Sequence, residues 1–163
     1  MIIVKKTGVL SFLNRRYKCA LGYGGIKKNK KEGDGATPFG IYNLTKIYYR
    51  KDKIQKLQSP LKKIIIKKNM IWCDDPNSRF YNRQSYLPKK FSYEELYRKD
   101  NIYDIILVLD YNINPIKKNK GSAIFLHVAK KNYKPTKGCI ALKKKDLLFI
   151  LKNLKRRTKI KIG

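Results

Sequence analysis

Residues 123–142 read AIFLHVAKKNYKPTKGCIAL. Two apolar runs, Ala123–Val128 and Cys139–Leu142, have the length and composition of strands. Alternation along the first sends Ile124, Leu126 and Val128 one way and Phe125 and His127 the other. Along the second, Ile140 and Leu142 oppose Lys137, Cys139 and Ala141. If both strands share a sheet and bury their aliphatic faces in one core, His127 and Cys139 emerge together on the opposite face. The loop between them carries Lys130, Lys131, Lys134 and Pro135.

That placement brings the chain's one histidine toward a cysteine. A free thiol titrates at about 8.5 and is mostly protonated at neutral pH. An imidazole within reach can take its proton and release a thiolate nucleophile. Gly138 lets backbone approach a substrate closely, and the N–H groups of Gly138 and Cys139 are candidates for an oxyanion hole. The plainer alternative is that Cys139 is a small core residue and His127 a structural one.

Working outward, short β-branched or aromatic runs recur between turn residues. They are Ile2–Val4, Tyr17–Leu21, Gly40–Tyr48, Lys63–Lys67, Tyr103–Leu109 and Thr158–Ile162. Many short strands predict a mainly β domain, a sandwich or a barrel. Two helices are expected. Ser92 followed by Tyr93, Glu94 and Glu95 has the form of a helix start. Leu147, Leu148, Ile150, Leu151 and Leu154 form a stripe at helical spacing. No repeat or linker interrupts the chain, so residues 1–163 read as a single domain.

The 163 residues carry a net charge of +29, from 40 Lys+Arg against 11 Asp+Glu. Such charge first suggests nucleic acid. The excess is Lys, however: 32 Lys against 8 Arg, spread over the whole length. Arg forks onto bases and phosphates, whereas Lys is a solvated point charge. No zinc-finger spacing or RNP-like aromatic motif is present, so no specific nucleic-acid partner is expected. Cys19, Cys73 and Cys139 form no CxxC pair, which argues against a Cys/His zinc site. No metal is expected. No run approaches the roughly 18 apolar residues of a membrane span, and Lys5 and Lys6 interrupt the first apolar run before a signal-type core forms. Ser59–Pro60–Leu61–Lys62 has the Ser-x-x-Lys form of penicillin-type serine enzymes. Proline directly after the serine suits no helix interior, and the accompanying SDN and KTG elements are absent.

The segment Ile124–Phe125–Leu126–His127, followed by Thr136–Lys137–Gly138–Cys139–Ile140, resembles the active-site signature of the L,D-transpeptidase (YkuD-type) catalytic domain. A second block is also similar to that family: Gly22–Tyr23–Gly24 and Lys27, then Gly33–Asp34–Gly35–Ala36–Thr37–Pro38–Phe39–Gly40–Ile41–Tyr42. The stretch Trp72–Cys73–Asp74–Asp75–Pro76 with Phe80–Tyr81–Asn82 resembles a branch of compact, single-domain members.

The resemblance implies an L,D-transpeptidase-type β-sandwich with about two helices, in which Cys139 is the nucleophile and His127 the general base. It implies acyl transfer on peptidoglycan stem peptides through a thioester. An amine acceptor gives cross-links; water gives carboxypeptidase action. It further implies a periplasmic or cell-envelope location, no cofactor and acylation by carbapenem-type β-lactams; a monomer is favoured. Thr136, Lys137 and Tyr133 beside the nucleophile, with Trp72, Asp74, Tyr81 and Asn82, are candidate substrate-binding residues. A binding module for nucleic acid or anionic polymer is the alternative. The chain departs from the family pattern at Lys137, where a His is usual, at Ala141, where an Arg is frequent, and at Val128, where a Gly is usual. Alternation puts Lys137 on the face of Cys139, where its charge is expected to lower the thiol pKa. Asp34 and Thr37 are read as turn-forming residues.

Overall fold

A computed structural model describes all 163 residues. In chain order the strands are β1 (Ile2–Lys5), β2 (Val9–Phe12), β3 (Arg15–Ala20), β4 (Ile26–Lys27), β5 (Thr37–Pro38), β6 (Gly40–Tyr49) and β7 (Lys62–Ile65). They continue as β8 (Met70–Cys73), β9 (Gln84–Tyr86), β10 (Tyr93–Glu95), β11 (Ile105–Leu109), β12 (Phe125–Val128), β13 (Ile140–Leu142) and β14 (Lys159–Ile162). The one α-helix, α1, spans Lys144–Asn153.

The mainly β expectation holds, but the main sheet curls on itself rather than forming a sandwich. Its order is β11-β12-β13-β3-β2-β1-β14-β6-β7, and a further pairing of β11 with β6 closes the ring. Strand β6 makes closure possible because it is 10 residues long. Gly40–Asn43 pair with β14, whereas Leu44–Tyr49 pair with β11. A closed ring leaves few exposed sheet edges.

Strands β11 and β12 are buried on both faces, which is why they read as continuous apolar runs. One face contributes Ile105, Leu107, Leu109, Leu126 and Val128 to a large aliphatic core. Helix α1 adds Leu147, Ile150 and Leu151 to it. The other face, with Ile106, Val108 and Phe125, lies under a smaller core rich in aromatic side chains, among them Tyr48, Trp72 and Tyr103. Residues from β8 and from the segments around it help to cover this second core, and β8 is the centre of a three-stranded sheet of order β10-β8-β9.

One expected helix is absent. Tyr93–Glu95 form strand β10, with Glu94 opposite Trp72. The apolar pattern after Ser92 ends at Leu96 and is followed by Arg98, Lys99 and Asp100. A helix there would have no continuous stripe to bury, while β8 offers backbone partners. Lys131–Tyr133 make only a single 3-10 turn. The Ser59–Lys62 motif lies off any helix: the Ser59 hydroxyl accepts from the Leu61 amide at 3.3 Å, and Lys62 opens β7. No helix is long and apolar enough to cross a membrane.

Candidate active site

Strands β12 and β13 run parallel, with Leu126 opposite Ile140 and His127 opposite Ala141. Parallel neighbours need a crossover, and here residues 129–139 supply one. Cys139 immediately precedes β13, level with Phe125. Cys139 and His127 are therefore diagonal neighbours on one face of the sheet. Both are buried, at 9% and 5% exposure, and both line a cavity of about 390 Å³. The aliphatic residues of the two strands face the other way, as alternation predicts.

The thiol and the imidazole are not hydrogen-bonded to each other in this state. The Cys139 thiol donates to the Ala123 carbonyl at 3.1 Å. Ala123 has a left-handed φ of 52°, an unusual conformation for alanine, where the chain enters β12. Burial pushes the Cys139 thiol up to about 12, against a hydrogen bond from the Phe125 backbone that favours the thiolate. His127 Nδ1 lies 2.9 Å from the Val128 carbonyl oxygen. A carbonyl can only accept, so Nδ1 carries the proton and Nε2 is left as the basic nitrogen. Burial lowers the His127 pKa to about 4; the Val128 contact opposes that, and Lys130 and Arg98 reinforce it. The resting pair is thus a neutral thiol and a neutral imidazole, not an ion pair.

The loop before Cys139 is tied to the Gly-rich block near the N-terminus. Thr136 donates its amide to the Leu21 carbonyl, and Tyr23 donates its amide to the Thr136 carbonyl, each at 2.9 Å. Gly22 is glycine by necessity, since a Cβ would lie 2.1 Å from the Gly35 carbonyl oxygen and 2.9 Å from Gly138 Cα. Gly138 has a φ of 134°, and its own Cβ would meet the Ala36 carbonyl oxygen at 2.8 Å. Asp34 and Thr37 serve the turn, as expected. Asp34 Oδ1 accepts from Lys30 Nζ at 2.7 Å and from the Ala36 amide at 2.9 Å. Thr37 Oγ1 accepts from the Gly22 amide at 2.9 Å.

Several expected site residues are placed differently. Lys137 is exposed on the cavity rim and precedes the strand, so alternation does not carry its side chain to the sulfur. The lysine whose charge favours the Cys139 thiolate is the buried Lys30. The Gly138 amide already donates to Thr136 Oγ1 at 3.1 Å, which removes it from the expected oxyanion hole. The Thr136 hydroxyl in turn donates to the Cys139 carbonyl at 2.6 Å. Tyr133 points away from the cavity, with Lys18 Nζ 5.1 Å from its ring centroid.

Trp72, Tyr81 and Asn82 are buried supports rather than cavity walls. Asn82 Oδ1 accepts from Trp72 Nε1 and from the Ala123 amide, both at 3.0 Å. Its Nδ2 donates to the Asn112 carbonyl at 2.7 Å. The Tyr81 hydroxyl donates to Glu32 and accepts from the Gly121 amide. Asp74, Thr136 and Lys137 do line the cavity. So do Tyr23, Glu32, Glu94, Arg98 and Tyr103, which the sequence did not single out as site residues. Glu94 was hidden in the misread helix start. The segment carrying Arg98 and Tyr103 reaches His127 only through the tertiary fold. No group of three or more His, Cys, Asp or Glu side chains forms a metal-binding arrangement.

A search of curated protein sequences returns no match. Among solved structures, the helical cell shape determining protein Pgp2 from Campylobacter jejuni is similar at a TM-score of 0.48 and 15% identity, over 99% of this chain and 46% of that one. The chain therefore spans about half the length of that protein. The sequence profile of the YkuD L,D-transpeptidase catalytic domain matches residues 2–162, so the chain belongs to that family.

Proposed function

We propose that the protein is a cysteine acyltransferase of the cell envelope that acts on peptidoglycan stem peptides. The observation that carries this reading is the burial of the chain's one histidine and Cys139 on a single sheet face, where both line the same cavity. Family membership supplies the substrate class.

In the first step the Cys139 thiol turns from the Ala123 carbonyl toward His127. Nε2 takes the thiol proton as sulfur attacks the acyl carbon of the donor peptide. A C–S bond forms, the C–N bond to the terminal D-residue breaks, and the imidazolium returns its proton to the leaving amine. In the second step an amine of another stem attacks the thioester, His127 takes the amine proton, and the thiol is regenerated. Water in that role gives a carboxypeptidase. The Cys139 amide is the backbone donor left for the developing oxyanion, because the Gly138 amide is bonded to Thr136. Arg98 supplies a cation in the cavity where position 141 has only Ala.

The neutral resting pair supports base-assisted attack rather than a preformed thiolate. Incubation with purified muropeptides, read by mass, tests the reading. Loss of a terminal D-amino acid with formation of dimers supports cross-linking. Loss without dimers identifies water as the acceptor, and unchanged muropeptides overturn the substrate assignment. A carbapenem is expected to add once, at Cys139, and Cys139→Ala to abolish the adduct in an intact-mass measurement.

A further inference from the structure

We infer that Tyr103 is a positioning residue for His127: its buried ring, packed edge to face on Phe125, sets the plane of the imidazole that must receive the Cys139 proton. This rests on the Cys139–His127 reading and names a residue that acts through the base rather than on substrate.

His127 has one polar anchor, the Nδ1 contact to the Val128 carbonyl of its own chain neighbour. A single hydrogen bond to the adjacent residue leaves the ring free to pivot about it. What blocks that pivot is packing. The rings of Tyr103 and His127 meet edge to face, 5.3 Å between centroids at 85°. Tyr103 is itself fixed on two further sides. Its ring packs edge to face on Phe125 at 6.2 Å, and its hydroxyl donates to Glu94 Oε2 at 3.2 Å. Glu94 stands opposite Trp72 in the pairing of β10 with β8. Trp72 donates to Asn82, Asn82 accepts from the Ala123 amide, and the Ala123 carbonyl accepts the Cys139 thiol. A chain of contacts through the three-stranded sheet thus runs from the support of the nucleophile to the support of the base. Such a link matters most where thiol and imidazole are diagonal neighbours with no bond of their own.

The charged groups around His127 are Arg98, Asp100 and Lys130, with Glu94 and Cys139 in the same cavity. Arg98 is tied to Asp100 by two contacts of 2.9 and 2.7 Å, so it does not fix the imidazole. Tyr103 is itself buried against the imidazole, and burial is the main reason the His127 pKa is low.

The test compares Tyr103→Leu, Tyr103→Phe and His127→Ala with the wild-type chain. Two quantities are followed: the rate of Cys139 alkylation by iodoacetamide, read by peptide mass, and the NMR titration of the single imidazole. Tyr103→Leu is expected to slow alkylation roughly 10- to 100-fold, as a misplaced base does. It should also raise the His127 pKa from about 4 by roughly one unit or more, toward the ordinary value of 6.5. Tyr103→Phe keeps the ring and should stay within about fivefold of wild type, with its titration unchanged. Unchanged rate and titration in Tyr103→Leu, with His127→Ala still slow, overturn the inference and leave the Cys139–His127 reading standing. A loss in Tyr103→Phe as large as that in Tyr103→Leu also overturns it, because the ring would not be the positioning element. Wild-type rates in His127→Ala overturn the Cys139–His127 reading itself, and this inference with it.

Discussion

Strand β12 separates two cores that differ in kind. On one side lies the barrel interior, filled almost wholly by Ile, Leu and Val from many strands and from α1. On the other lies the smaller core of Tyr48, Trp72, Tyr103 and Phe125, with Cys139 among them and His127 at its edge. The interior is held by packing alone, and its residues are interchangeable in principle with others of similar volume. The outer core is directional. Trp72 meets Phe125 edge to face at 5.1 Å, and Asn82 ties Trp72 to the Ala123 amide. The contrast teaches that one side supplies the platform, while the other supplies the orientation on which the proposed chemistry depends.

The comparison breaks most sharply at two adjacent residues of β12. His127→Ala should slow carbapenem acylation of Cys139 by roughly 10²–10⁴-fold, followed by intact mass over time. Its neighbour Leu126 faces the interior, and Leu126→Ala should cost about 2–5 kcal/mol of folding stability in a denaturant titration. Its acylation rate per folded molecule should stay near wild type. Equal kinetic losses in the two variants would erase the distinction between the faces.

Acid sharpens it further. His127 has a folded pKa of about 4 against an ordinary 6.5, so the unfolded chain binds this proton first. The stability contributed by a neutral buried His127 is fully present above pH 6.5 and is lost as pH falls from 6.5 toward 4. The loss amounts to roughly 3 kcal/mol over that window. Thermal melts from pH 7 to pH 4 should show this decline, and His127→Ala should remove that part of it.

Asn82→Ala removes a buried amide with partners on three segments, and should cost roughly 1–3 kcal/mol in the same denaturant assay. Acylation should slow as well, because the carbonyl that holds the thiol belongs to Ala123. The smallest effect belongs to the exposed rim. Lys137→Ala should leave the rate of Cys139 alkylation unchanged, since the exposed Lys137 side chain lies on the cavity rim.

Much of the platform was legible in the chain because burial imposes periodicity. The alternation of Ile124, Leu126 and Val128, the uninterrupted run Ile105–Leu109 and the helical stripe of Leu147, Ile150 and Leu151 each map onto one buried face or element. The pairing of His127 with Cys139 on one face followed from the same rule. The family was legible by a different route, the resemblance of two motifs, and the Gly-rich block and cysteine loop that carry it meet at Gly22 and Gly138. What failed was local. Ser92–Glu95 has the signature of a helix start but pairs with β8, because a long-range strand partner outweighs a short-range propensity.

By itself, then, the sequence determined a mainly β domain, its large core and the placing of His127 and Cys139 on one sheet face, since all three depend on residue type and spacing along the chain. Closure of the ring required β6 to serve both β14 and β11, a property of twist and length that no local pattern displays. Only the tertiary structure decided which charge lies near the sulfur and which amide is already bonded. It also decided which aromatic ring backs the histidine. Those depend on segments tens of residues apart in sequence, brought within a few ångströms by the closed sheet and the smaller sheet beside it.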